Sequence, residues 1–192
     1  MRCRIRGILL TVLVLLFGPS DAHSSVNFYF VAHEDDWQLF MNPDAYHAVQ
    51  DKSSKSVFVY VTAGDAGLGV TTISPSSVPF FVARENGANA ALRFMADVST
   101  PSEQSFEGHV FISGHALHRV VYKNTISYFL RLPDGNGDGS GFSETHHWSL
   151  EYFRTGRASS AKAIDGSASY ENWHDLVDTV RELIATELAG CE

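Results

Sequence analysis

Two nearly continuous apolar runs constrain this chain most. They are Val26 to Ala32 and Val57 to Val61. A strand with one wet face alternates apolar and polar residues. A strand buried on both faces does not, and burial on both faces marks a parallel sheet covered by helices. Each run ends abruptly. The first gives way to His33-Glu34-Asp35-Asp36, the second to Thr62-Ala63-Gly64-Asp65-Ala66-Gly67-Leu68-Gly69. Open α/β sheets bind ligands beyond the carboxyl ends of their strands, so these two segments are the first candidates for a site.

The rest of the chain fits an alternating architecture. Asp36 to Gln50 reads as a loop and short helix broken at Asn42-Pro43. Pro79 to Val98 reads as a helix whose small or apolar face is Phe80, Ala83, Gly87, Ala90, Ala91 and Phe94. Phe106 to Leu132 is β-rich, with strands expected at 109–113, 119–122 and 126–132 and a tight turn at Lys123-Asn124. A glycine-rich loop, Pro133 to Gly141, and a short helix near Ser149 to Phe153 follow. Trp173, Leu176, Val177, Val180, Leu183, Ile184 and Leu188 keep helical spacing behind Asn172, a good N-cap. The expected fold is an α/β sandwich with a mainly parallel sheet. An alternating fold would place another strand after that last helix, where the sequence stops at Glu192.

Arg2, Arg4 and Arg6 precede an apolar stretch, Gly7 to Phe17, and then Ser20-Asp21-Ala22. This is the pattern of a secretory signal cleaved near Ala22, leaving a domain of residues 23–192. The alternative is an uncleaved anchor formed by residues 7–17. The formal net charge is −8, and removing residues 1–22, with three Arg and one Asp, leaves −10. So acidic a chain is a poor match for a phosphate backbone, so nucleic acid is not an expected partner. Cys3 leaves with the signal and Cys191 remains alone, so no internal disulfide is available.

His33, Asp35 and Asp36 bring an imidazole and two carboxylates to one strand end. One imidazole and one carboxylate suit a zinc ion with a position left open for water, while the second carboxylate handles protons. The bland alternative is a surface turn, where Asp is common. Gly64-Asp65-Ala66-Gly67 could cradle a ligand, since glycines allow close backbone approach, but a tight strand-to-helix turn is the better expectation. Asp134-Gly135-Asn136-Gly137-Asp138-Gly139-Ser140 matches the first half of a calcium loop. Thr145 stands where that loop needs its bidentate Glu, so a looser calcium site or a polar loop facing a substrate is the better expectation. His115 and His118, in extended chain, point to opposite faces. His146-His147 has no decided role.

Ala32-His33-Glu34-Asp35-Asp36 after a buried strand resembles the AHPDD signature of the PIG-L-like de-N-acetylase family. That family includes N-acetylglucosaminyl-phosphatidylinositol deacetylases and bacterial relatives acting on N-acetyl sugars. The segments Thr62 to Gly67, Ala83 to Ala91 and Phe129 to Phe142 resemble further family segments in the same order. The resemblance implies a Rossmann-like three-layer sandwich with its late strands missing. It also implies a zinc-dependent hydrolase removing acetyl from an N-acetylated sugar in a glycoconjugate or glycolipid. Within it, His33 and Asp36 match the first two zinc ligands and Asp35 the general base. Arg84 and Asp134 match segments that approach the sugar. Glu34 stands in place of the usual proline, and Trp37 in place of an acidic residue. The family's third ligand lies in a late HxxH segment, beyond where this sequence stops; His147 and His174 are the candidate substitutes. The rival expectation is a non-catalytic relative that acts as a binding module.

Overall fold

The computed structural model describes residues 25–98 and 105–189. The signal or anchor read at residues 1–22 and Cys191 lie outside them. Among the described residues no helix is long and apolar enough to cross a membrane.

The chain folds as an α/β domain around a five-stranded mixed sheet. Strands β1 (Ser25–Val31), β2 (Ser54–Thr62), β3 (Phe106–Ile112), β4 (His115–Tyr122) and β5 (Thr125–Leu132) stand in the order β1-β2-β5-β4-β3. β1, β2 and β5 run parallel, while β4 and β3 are antiparallel to their neighbours. The sheet is therefore mixed rather than mainly parallel. The reason is local: Lys123-Asn124 and Ser113-Gly114 are two-residue turns, and such short links can join only antiparallel strands. Central position explains the continuous apolar runs. Every residue of β5 is buried, and so is nearly all of β2, whereas β1 lies at an edge and leaves Phe30 38% exposed.

Helices cover both faces. On one side α1 (Asp36–Phe40), α2 (Asp44–Gln50) and α3 (Phe80–Ala96) pack Trp37, Ala45, Val49, Ala88 and Leu92 on Tyr29, Phe58, Tyr60 and Phe129. On the other side α4 (Leu150–Arg154) and α5 (Trp173–Leu188) pack Phe153, Leu176 and Leu183 on Val57, Val59, Tyr128 and Leu130. Each such aliphatic burial contributes about 1.5–3 kcal/mol. A two-stranded ribbon, β6 (Ala161–Lys162) and β7 (Ser169–Tyr170), precedes α5.

The start of α5 follows the sequence reading, since the Asn172 side chain accepts from the amides of His174 and Asp175. The buried face of α3 does not. It is Phe81, Glu85, Ala88, Leu92, Met95 and Ala96, and Phe94 is 77% exposed. Glu85 breaks the apolar pattern on the true inner face, and only the partner it meets there makes its burial tolerable. That partner is Arg131, which donates to both Glu85 oxygens at 2.7 Å.

Candidate functional site

Three parallel strands deliver their carboxyl ends to one rim. The turn after β1 carries His33, Glu34, Asp35 and Asp36. The loop after β2 carries Gly64 and Asp65, and the loop after β5 carries Asp134. Asp65 ties two of these loops together. It is fully buried, and its two oxygens accept from the amides of Gly69 (2.8 Å) and Asp134 (2.9 Å). Asp134 in turn reaches His33, with Oδ1 3.4 Å from Nε2. That contact raises the proton affinity of His33 and holds the Asp134 carboxyl below its usual range. Asp36 folds back on the turn and accepts from the His33 amide at 2.9 Å; its charge also favours the imidazolium.

Arg84 comes from the first turns of α3. Its Nε lies 3.0 Å from Oε2 of Glu34, one outer nitrogen donates to Oδ1 of Asp35 at 2.6 Å, and the other donates to the Gly64 carbonyl at 3.3 Å. Glu34 is 2% exposed, and neither of its oxygens receives an aligned hydrogen bond among the described residues. The contact with Arg84 is thus a close charge pair without hydrogen-bond alignment. Burial pushes Glu34 up to about 7, while its own amide and Arg84 pull it back. Gly64 makes the contact possible. Its φ is +52°, and a Cβ there would stand 2.6 Å from Oε2 of Glu34.

A cavity of about 370 Å³ opens here, lined by Glu34, Asp35, Gln38, Phe80, Arg84, Gly87 and Ala88. A larger one of about 910 Å³ lies beside Gly69 and Pro133 and is walled by His146, His147, Trp148, Tyr152 and Arg157 among others. None of His33, Asp35, Asp36 or Asp134 lines it.

The structure places His33 with Asp36 and Asp134 at this rim, and Asp35 with Arg84 beside them. It does not bring in the other histidines. His115 meets Asp175 and His118 meets Glu107, on opposite faces of the sheet. His147 lines the larger cavity, and His174 sits exposed at the start of α5. In the Asp134 loop the three acidic or amide side chains cap turns: Asp134, Asn136 and Asp138 accept from the amides of Asn136, Gly137 and Ser140.

Two residues escaped the sequence reading. The resemblance presents Glu34 as a replacement for proline, and spacing alone presents Asp65 as part of a tight turn. Asp65 did carry a signal, because Asp between glycines characteristically captures nearby amides. Glu34 carried none, since nothing local predicts the burial of a carboxylate. As to metal, His33 and Asp36 are donors of the kinds zinc takes. They supply two; among the described residues no three His, Cys, Asp or Glu side chains are placed to hold an ion. Comparison with family models, with curated proteins and with solved structures gives no match.

Proposed function

We propose that this chain has a Rossmann-like α/β sandwich serving as the scaffold of a metal-dependent N-deacetylase. Its substrate would be an N-acetylated sugar, free or in a glycolipid, met outside the cell or in an endomembrane lumen. The observation that supports the reading best is the convergence of His33, Asp35 and Asp36 with Asp134 and Arg84 from separate strand ends and a helix. His33 and Asp36 would hold the ion. Zinc, when bound, supplies Lewis acidity toward the acetamide carbonyl and a water acidic enough to react near neutral pH.

The chain's own residues then divide the work. Arg84 holds Oδ1 of Asp35 and leaves the other oxygen of that exposed carboxylate without a partner among the described residues. This free oxygen is the proton acceptor for the attacking water. Asp134 restrains the His33 ring through Nε2, so loading a metal on that nitrogen requires the Asp134 contact to open. A protonated group must later deliver a proton to the departing amine.

A second reading, a binding module without catalysis, draws on the two-donor count. The two separate in one experiment. The purified chain is assayed for bound zinc and for acetate release from N-acetylglucosamine conjugates. The deacetylase reading expects about one zinc per chain, and acetate release that falls to background in Asp35→Asn. Zinc far below stoichiometry with a cooperative melt favours the binding module. A calcium titration read by melting tests the Asp134 loop, because a ligand of the native state must raise the melting temperature.

A further inference from the structure

We propose that Glu34 is a positioning residue: from beneath the turn it pins Arg84, and the pinned guanidinium fixes the carboxylate of Asp35. The proposal rests on the reading of Asp35 as the proton acceptor.

The geometry assigns every nitrogen of Arg84 to the protein. Nε faces Glu34, one terminal nitrogen faces the Gly64 carbonyl, and the other faces Asp35. The Phe80 ring lies 6.0 Å from the guanidinium carbon and closes a further side. These three contacts fix the guanidinium in place. Arg84 is therefore placed to hold a carboxylate.

Glu34 and Asp35 differ in what holds them. The Asp35 side chain is 55% exposed, and Arg84 is its one side-chain partner among the described residues. Left alone, an exposed Asp samples several rotamers. Glu34 is enclosed, and Arg84 is the cation beside it. A buried carboxylate needs its cation far more than an exposed one does, so the buried pair decides where Arg84 stands. Asp35 inherits that position. Gly64 completes the device, because any side chain there would displace Oε2 of Glu34 or the guanidinium.

The test is nuclear magnetic resonance on the full chain at a pH where Glu34 is ionised, together with kinetics. Three-bond couplings about χ1 of Asp35 should report one rotamer in the wild type and averaging in Glu34→Gln. The Nε proton of Arg84 should exchange at least about tenfold faster in Glu34→Gln but stay protected in Asp35→Asn. Gly64→Ala attacks the same contact from the other side and should also average Asp35. In acetate release, Glu34→Gln should lower kcat by about tenfold or more and leave KM within about twofold, since only orientation is lost. Arg84→Met should do the same, and the double variant should be no worse than Arg84→Met alone. A single Asp35 rotamer with a protected Arg84 proton in Glu34→Gln would overturn the proposal. So would a rise in KM as the main effect of Arg84→Met, which would return Arg84 to the substrate. If the wild type releases no acetate, the deacetylase reading fails, while the couplings and exchange still decide whether Glu34 fixes Asp35.

Discussion

Two arginines in this molecule do the same thing in opposite surroundings. Arg131 grips Glu85 with two donors at 2.7 Å and Asp165 with a third at 2.6 Å, and stacks near Phe81. Arg84 grips Glu34 and Asp35 and stacks near Phe80, the neighbouring residue of α3. The Arg131 cluster is enclosed and its hydrogen bonds are aligned. The Arg84 cluster opens on a cavity, presents one carboxylate to solvent and leaves the other without an aligned donor. A fully satisfied buried network rigidifies a core; a partly satisfied one at a strand rim is where function is expected. The difference teaches that charge alone does not mark a site. What marks it is the unspent capacity of the groups.

The comparison can be broken most forcefully at Arg131. Arg131→Met leaves Glu85 buried and unpaired, and urea unfolding should show a loss of about 3–5 kcal/mol. A loss under about 1 kcal/mol would mean the pair is not buried in solution.

Next come the opposite pH responses of the two regions. His118, near Arg131, is driven down to about 4 by burial first and then by Arg131 and His109. The charge of Asp165 opposes this but does not outweigh it; Glu107, 3.4 Å away, is exposed and screened. The unfolded chain protonates this histidine first, so its contribution is intact above about 6.5 and is lost as pH falls toward about 4, by at most about 3 kcal/mol. Glu34 has the reverse sign. Its folded value near 7 lies above the ordinary one, so its contribution is present below the ordinary carboxylate range and is lost as pH rises through about 7. Unfolding measured against pH should therefore lose the part of its acid limb between about 6.5 and about 4 in His118→Phe and its limb near 7 in Glu34→Gln. Unchanged profiles in both would erase the distinction.

Arg84→Met should cost less than its counterpart, about 1–3 kcal/mol above pH 7, and less again below it, where Glu34 can take a proton. Equal losses at both pH values would contradict the raised proton affinity of Glu34. The smallest effect on stability belongs to Asp35→Asn, within about 1 kcal/mol, because an exposed ion pair contributes little. A large loss there would make Asp35 structural rather than chemical.

The strand ends were legible in the sequence because burial on both faces writes an unbroken apolar run, and β2 shows it most cleanly. The turn at Lys123-Asn124 and the Asn172 cap were legible because turn and cap chemistry are local. What was not legible depended on distant partners. The inner face of α3 runs through Glu85, whose cation arrives from β5, forty-six residues later. The burial of Glu34 depends on Arg84 and Gly64, both distant from it in sequence. The grouping of His33, Asp35 and Asp36 was readable from spacing; the tie of His33 to Asp134 was not, because it depends on β5 lying beside β2.

The central claim is that His33 and Asp36 share a divalent ion at this rim. Anomalous diffraction at the zinc edge, from crystals grown with zinc, tests it most directly. The account predicts a peak within bonding distance, about 2.0–2.2 Å, of a His33 ring nitrogen and an Asp36 oxygen, absent in His33→Ala. A zinc-saturated crystal with no peak there, or with the ion held elsewhere, would contradict it.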